Sequence, residues 1–145
     1  MRKCQFIVSL LICFGLVSFL SACESSKEVV SFGNGNVLIV SESVFESAPN
    51  HPFTIKNVRI EGDILIIKIT SGGCDGSTWQ VNLVTTDAIG MSEPPYRGVK
   101  LSLKNRELCR AFVHKEFKFN IKNLRVEGSN SVRLNISGIE VLYRY

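Results

Sequence analysis

Apolar and polar residues alternate along most of the chain after residue 36, whereas no segment there shows the spacing of an amphipathic helix. A period of two residues is typical of strands that have one face in a core. We therefore predict short strands at residues 36–40, 53–60, 64–70, 77–86, 99–104, 109–113 with a repeat of its pattern to 121, 132–136 and 139–145. About eight short strands separated by turn signals favour an all-β fold, specifically an antiparallel β-sandwich.

Three local features refine this picture. Residues 64–70 are apolar on both faces, which indicates a central strand. Residues 87–98 contain two adjacent prolines, whose rings remove backbone donors, so this stretch is predicted to be a surface loop. The alternation changes parity around Ser137 and Gly138, which indicates a bulge or sharp bend there.

The first 22 residues carry a different pattern. Arg2 and Lys3 precede an almost uncharged apolar stretch at residues 6–20, and charged residues resume at Glu24. A positive start, an apolar core and small residues after it are typical of a secretory signal peptide. A membrane-spanning helix needs about 20 apolar residues, so this stretch is too short for a comfortable span. We expect residues 1–22 to be removed on export.

The residues around the expected cleavage point identify the type of signal. Leu-Ser-Ala at 20–22 precedes Cys23 and resembles the lipobox of bacterial lipoproteins. The resemblance implies that the Cys23 thiol carries a diacylglycerol and that cleavage occurs just before it. Residues 23–35 are then the lipidated cysteine and a tether, and residues 36–145 form one β-sandwich domain. In Gram-negative lipoproteins an aspartate after the cysteine signals inner-membrane retention, so Glu24 favours the outer membrane.

The number of cysteines limits which disulfides the exported part of the chain can form. Of five cysteines, Cys4 and Cys13 lie in the signal and Cys23 takes the lipid, which leaves Cys74 and Cys109. Outside the cytoplasm such a single pair is expected to form a disulfide, and closing a loop of this length stabilises the fold by about 4 kcal/mol. The alternative is two buried, reduced cysteines.

Charge is distributed unevenly between the two halves of the exported chain. Residues 97–145 carry 11 basic and 4 acidic residues, whereas residues 23–96 carry 4 basic and 9 acidic ones. The basic half is suited to an acidic partner or to anionic lipid head groups. Its basic residues are nevertheless spaced singly between apolar ones, which is more typical of solvated strand faces. We expect no nucleic acid as a partner of an exported lipoprotein.

A second resemblance rests on the order of motifs in the domain. Ser-Gly-Gly-Cys at 71–74 is followed by a strand, a Pro-Pro loop, an amphipathic strand, Leu-Cys-Arg-Ala at 108–111 and Phe-Lys-Phe-Asn at 117–120. This order is similar to the C-terminal β-sandwich of NigD-like proteins, small lipoproteins of Bacteroidota, over residues 53–124. That family tends to have Phe-Asp-Leu where this chain has Phe-Asn-Ile at 119–121. The resemblance implies fold and location, and it assigns no catalytic residues.

One motif carries candidate chemistry. Gly-Gly-Cys-Asp-Gly at 72–76 contains the Gly-x-Cys-x-Gly spacing of a cysteine variant of the nucleophile elbow. A thiol hydrolase built on it would use Cys74 as the nucleophile and His114 as the base. An elbow leads into a helix, however, whereas the next segment here is a predicted strand, and Cys74 has an expected disulfide partner. The glycines are therefore interpreted as a turn that lets the disulfide close.

No metal and no cofactor are expected from the remaining candidate ligands. His51 and His114 are isolated and lack the spacing of zinc ligands, since the chain has neither a Cys-x-x-Cys nor a His-x-x-x-His pair. Asp75 and Asp87 lack the ligand spacing of a calcium loop. Isolated histidines and aspartates of this kind are usually surface or core residues.

These features favour a non-enzymatic module that is tethered to the membrane through lipid on Cys23 and binds or scaffolds another envelope protein. The alternative function is the thiol hydrolase centred on Cys74. Contact with a ligand or partner is expected in the loop at 87–97 and in the basic C-terminal half. The candidate binding residues are Trp79, Pro94, Pro95, Tyr96 and Arg97.

Overall fold

The computed structural model describes Gly35 and residues 37–145, and eight strands in this part of the chain form two sheets. The strands are β1 (Val37–Ile39), β2 (Phe53–Glu61), β3 (Ile64–Gly73), β4 (Gln80–Thr85), β5 (Tyr96–Lys104), β6 (Ala111–Asn120), β7 (Ser131–Ile136) and β8 (Ile139–Arg144). A short helix, α1 (Glu42–Ser47), and a 3-10 turn (Lys122–Leu124) complete the fold. The predicted all-β sandwich is confirmed. The predicted signal peptide, Cys23 and the tether up to residue 34 lie outside the described residues.

One sheet has the order β2-β3-β6, and both of its pairings are antiparallel. The predicted central strand, β3, is confirmed, because it pairs on both sides and its Leu65, Ile67 and Ile69 are fully buried. β3 also continues through Gly72 and Gly73, which pair with the start of β6. These two glycines therefore belong to a strand, whereas the sequence predicted them in a loop.

The other sheet has the order β1-β4-β5-β7-β8 and is mixed. β4–β5 and β7–β8 are antiparallel, whereas β1–β4 and β5–β7 are parallel. β5 and β7 run in the same direction because β6, the strand between them in sequence, lies in the other sheet. The predicted antiparallel arrangement is thus only part of the pairing, since alternation reports which face is buried and not the direction of the neighbouring strand.

The core lies between the two sheets and is built from the alternating apolar residues of both. The five-stranded sheet contributes Leu83, Leu101, Leu134 and Tyr143, all fully buried, and the 3-10 turn adds Leu124. This agrees with the predicted inward positions of the strands, because the residues of the core cluster lie two apart along a strand, as Leu65, Ile67 and Ile69 do in β3.

The β7–β8 connection is a two-residue hairpin turn in which Ser137 and Gly138 both have positive φ, 48° and 95°. Ile136 pairs directly with Ile139 across it. The predicted sharp bend is confirmed, and the turn keeps the apolar side chains of both strands on one face despite their change of parity.

Two features outside the strand pattern position the surfaces described below. Helix α1 lies against β5, where the Lys100 ammonium donates hydrogen bonds to the carbonyl oxygens of Phe45 and Glu46 at 3.1 and 3.2 Å. The predicted loop at 87–98 ends earlier than expected, because β5 already begins at Tyr96. In the part of the chain that the structure describes, no helix is both long and apolar enough to cross a membrane.

Candidate functional site

The reactive-looking cysteine of the Gly-Gly-Cys-Asp-Gly segment is bonded to Cys109. The two sulfur atoms are 2.01 Å apart and the two Cα atoms 4.8 Å apart, as in a disulfide. Cys74 follows β3 and Cys109 precedes β6, so the neighbouring strands bring them together. This is the pairing that the cysteine count predicted. It leaves Cys74 without the free thiol that a hydrolase would need.

The Glu107 carboxylate holds the loop at residues 74–78, here called the Cys74 loop. Its Oε2 accepts hydrogen bonds from the backbone N–H groups of Cys74 and Gly76, at 2.6 and 3.0 Å. Its Oε1 accepts two more from Thr78, at 2.9 Å from the hydroxyl and 3.3 Å from the backbone N–H. One side chain therefore satisfies three backbone donors of an irregular loop, which would otherwise need water.

These contacts set the ionisation of Glu107. Burial of the carboxyl raises its pKa, but the hydrogen bonds from Gly76, Cys74 and Thr78 outweigh burial and lower the pKa to about 2 from an ordinary value of 4.5. A carboxylate that stays ionised in this way cannot act as an acid near neutral pH. Its chemistry is that of an anchor for the loop.

Close packing explains why the motif needs glycine before the cysteine. A Cβ atom on Gly73 would lie 2.5 Å from Glu107 Oε2 and 3.1 Å from the indole nitrogen of Trp79. Trp79 itself is only 6% exposed and packs in the core. The motif therefore has a structural role: the disulfide and the Glu107 carboxylate, here together called the clamp, hold the loop. Gly73 makes room for Glu107 and Trp79. Sequence reasoning missed Glu107, since no pattern marks it apart from other surface-spaced acids.

The same clamp leaves an exposed tip on the segment that enters β6. Arg106, Leu108, Arg110 and Phe112, here called the tip residues, are all exposed, with Leu108 at 95% and Phe112 at 81%. Between Arg106 and Arg110, the side chains of Glu107 and Cys109 contact the Cys74 loop. Basic and apolar side chains therefore alternate in an exposed row at this end of the sandwich.

The candidate binding residues predicted from the sequence do not form one surface. Trp79 lies just before the start of β4, next to the Cys74 loop. Pro94 to Arg97 lie near the other end of β4, because they precede Val99, which pairs with Thr85 at that end. The two groups lie at opposite ends of the sandwich. Arg97 is also only 7% exposed, so it presents little surface to a partner. The predicted loop does expose two large apolar side chains, Ile89 and the fully exposed Met91, together with polar residues that include Asp87, Ser92 and Glu93.

A cleft of about 680 Å³ lies between the beginning of β2 and the β7–β8 turn. It is lined by apolar, hydroxyl and amide groups and by one ionisable side chain, from Asn50, Pro52, Phe53, Thr54, Ile55, Lys100, Ser137 and Ile139. The Lys100 ammonium is already hydrogen-bonded to α1. No pair of groups in the cleft is arranged for acid–base or nucleophilic chemistry.

A second cluster of titratable residues, Asp63, Arg125 and Tyr143, also serves structural contacts. The Tyr143 hydroxyl donates to the Asp63 carboxylate, and Arg125 donates to the same carboxylate at 2.7 Å and to the Tyr143 oxygen at 3.0 Å. The hydrogen bonds from Tyr143 and Arg125 lower the pKa of Asp63. His114 bonds to Thr70 at 2.6 Å and not to Cys74. Within the described residues, no group of three His, Cys, Asp or Glu side chains could hold a metal ion.

Comparisons with known proteins support the fold. No protein-family model and no curated protein sequence matches the chain. A crystal structure of a protein of unknown function, DUF1344, from Bacteroides vulgatus is 18% identical with a TM-score of 0.52, over 77% of this chain and 55% of that chain. A crystal structure described as "Putative TOXIN related protein" from Parabacteroides distasonis is 16% identical with a TM-score of 0.49, over 77% and 60%.

Likeness at this level of identity shows the architecture alone. The chain spans little more than half the length of either neighbour, so neither whole protein can be equated with it. Neither comparison tests the NigD-like resemblance, which stays a prediction.

Proposed function

We propose that the protein is a lipoprotein of the cell envelope, anchored in the outer membrane through lipid on Cys23, whose sandwich domain binds or scaffolds another envelope protein without catalysing a reaction. The observation that carries the non-enzymatic part is the Cys74 loop. Its sulfur is bonded to Cys109 and its carboxylate neighbour, Glu107, is committed to four hydrogen bonds. The groups that looked reactive in the sequence are thus used to hold the fold.

The anchoring part of the proposal rests on the sequence. The apolar stretch at 6–20 and the lipobox-like 20–23 account for export and lipidation together. Two or three acyl chains on one residue anchor a protein stably, because each buried methylene contributes about 0.8 kcal/mol. A domain held in this way needs no membrane-spanning segment of its own.

The surface that suits a protein partner is the loop between β4 and β5. Ile89 and Met91 are exposed there, on a loop fixed at both ends by central strands of the five-stranded sheet. Exposed apolar side chains on a loop held by rigid elements are typical of contact sites. The basic residues of the C-terminal half are dispersed over several strands and do not form a single patch.

Metabolic labelling tests the proposal directly. We expect the full precursor, expressed in a Gram-negative host with an alkyne palmitate, to incorporate label and to sediment with outer membranes, and the Cys23→Ser variant to do neither. Cys13→Ser, which alters a cysteine in the signal, is the matched control and should label like the wild type. The purified wild-type lipoprotein should also resist alkylation of Cys74 without reductant.

Two results would contradict the proposal. Equal labelling of the wild type and Cys23→Ser would place the lipid elsewhere and remove the anchor. Rapid alkylation of Cys74 in the folded, unreduced protein would show a free thiol and favour the hydrolase.

A further inference from the structure

The tip residues are held in an exposed position by the contacts on either side of them. Leu108 lies between Glu107, which accepts four hydrogen bonds from the Cys74 loop, and Cys109, which is disulfide-bonded. Phe112 is the second residue of β6 and pairs with Gly72, which has no side chain to cover it. Neither apolar side chain can turn back into the core without breaking this clamp. Their exposure is therefore a fixed property of the fold.

Positive charge surrounds the two apolar side chains. Arg106 and Arg110 flank Leu108, and neither takes part in an ion pair with any residue that the structure describes. The nearby carboxylates of Glu107 and Asp75 keep their charges, but they are hydrogen-bonded to backbone groups and do not pair with the arginines. The Lys115 ammonium, which donates to the carbonyl oxygen of Gly76 at 2.8 Å, adds a third positive charge, so cations outnumber anions at the tip and attract anionic surfaces.

The pattern of the tip distinguishes between two kinds of anionic surface. Each of its two exposed apolar side chains lies two residues from an arginine that has no ion-pair partner among the described residues, whereas Ile89 and Met91 on the β4–β5 loop have no such basic neighbours in sequence. Insertion into a bilayer interface needs only a few apolar side chains below the head groups and basic residues at their level. The alternation of Arg and Leu or Phe matches this requirement.

The tether permits such contact. Residues 23–35 span at most about 45 Å when extended, and a domain of this size is about 35 Å across. Any end of the domain can therefore reach the bilayer in which Cys23 is anchored. Once the domain is held there, even weak insertion is favoured, because the tether keeps the local concentration of the tip near the surface high.

We propose that the tip formed by Arg106, Leu108, Arg110 and Phe112 docks on an anionic phospholipid bilayer, with Leu108 and Phe112 inserted and the two arginines among the head groups. The inference rests on the proposed lipid anchor. It orients the domain, since the β4–β5 loop with Met91 lies at the opposite end of the sandwich and faces away from the membrane.

Fluorescence of the intact lipoprotein in vesicles tests the docking. Phe112→Trp places a reporter at the tip, and Met91→Trp places a second reporter, at a fully exposed position, at the far end. The buried Trp79 gives the same background in both variants. The vesicles contain phosphatidylglycerol and phosphatidylcholine with bromine on the acyl chains, which quenches inserted indoles. We expect at least about twofold greater quenching at position 112 than at 91, because interfacial side chains enter the bilayer by about 5–10 Å.

The role of the arginines is tested in the same vesicles. Arg106→Glu with Arg110→Glu, combined with Phe112→Trp, should lower the quenching to the level of Met91→Trp, and so should replacement of phosphatidylglycerol by phosphatidylcholine. An unchanged urea midpoint in each variant shows that the fold is intact.

Flotation of the vesicles separates the two proposals. Protein that floats with the vesicles but shows equal quenching at 112 and 91 overturns the docking and leaves the anchor standing. Protein that does not float overturns the anchor and the docking with it. Protection of the indole at 112 by a soluble envelope protein, without quenching in vesicles, would assign the tip to a protein interface and also overturn the docking.

Discussion

Glu107 shows how one side chain holds the conformation of a loop. In the sequence, that loop is marked only by its glycines and a cysteine. Glu107 itself is a single acid between Arg106 and Leu108, with no spacing that sets it apart. Its role depends on the Cys74 loop coming within hydrogen-bond distance, at 2.6 to 3.3 Å. Such a contact joins residues about thirty positions apart, and local pattern carries no information about it.

Glu107 also makes stability depend on pH. Folding lowers its pKa from 4.5 to about 2, so the folded state gains stability from the ionised carboxylate above about pH 4.5 and loses it as the pH falls towards 2. We expect Glu107→Gln to lower the urea midpoint at pH 7 and to make the midpoint less sensitive to pH between 4.5 and 2.5. Urea titrations of both proteins at several pH values measure this.

A second carboxylate provides the control for this titration. Asp75 lies in the same loop but accepts a hydrogen bond only within its own turn, from Ser77. Asp75→Asn should keep most of the pH dependence of the wild type. If the wild type and Glu107→Gln lose stability in parallel as the pH falls, the carboxylate does not anchor the loop as described.

Gly73 and Gly72 are adjacent in sequence but differ in their surroundings. A Cβ on Gly73 would clash with Glu107, which cannot move without losing its bonds to Cys74 and Gly76, whereas nothing lies within 4 Å of a Cβ on Gly72. Gly73→Ala should cost about 1–3 kcal/mol of unfolding free energy. Gly72→Ala should stay within about 0.5 kcal/mol of the wild type. Similar costs for the two variants, from urea unfolding, would contradict the close approach.

At the level of elements, the disulfide and Glu107 act on the same junction between β3 and β6. The cysteines are 35 residues apart, and closing such a loop stabilises the fold by about 4 kcal/mol in the chain-entropy treatment. Cys74→Ser with Cys109→Ser should therefore lower the unfolding free energy by about 2–4 kcal/mol. Wild type unfolded in the presence of reductant should match this variant.

The disulfide and the carboxylate should also be coupled. Once the disulfide is removed, the Cys74 loop is free to detach, so Glu107→Gln should cost less in the serine variant than in the wild type. A double-mutant cycle from urea unfolding gives the difference. Additive costs would mean that the two groups hold separate parts of the structure.

The positions of strands were predicted well wherever their apolar residues are buried. The direction in which neighbouring strands pair was predicted only in part. β3 is apolar on both faces and its central place followed from that, as did the bend at Ser137 and Gly138 from the change of parity. Helix α1 has no buried residue, so it has no apolar stripe to detect. The parallel pairing of β1 with β4 depends on chain path alone, and no residue in either strand encodes it.

For the whole molecule, the sequence identified candidate residues but not the end of the sandwich on which each would lie. Trp79 and Pro94 to Arg97 were predicted together as candidate binding residues, yet the length of β4 separates them. The tip residues were overlooked because Phe112 lies within a predicted strand and Leu108 lies directly before it. Their exposure depends on the clamp beside them, which pattern does not reveal. Placement at one end or the other is a property of topology.

The short first strand determines how the molecule would respond to force. β1 pairs with the edge of β4 through only three residues, with a further backbone hydrogen bond from Val40 to Thr85 at 2.8 Å. A pull between a membrane anchor on Cys23 and a partner bound to the domain would reach the described fold first at Gly35, whose carbonyl oxygen accepts a hydrogen bond from the Asn120 N–H at 2.8 Å, and then at β1. We expect this hydrogen bond and the three-residue pairing of β1 to give way first and lengthen the link, while the antiparallel pairing of β4 with β5 still holds the core.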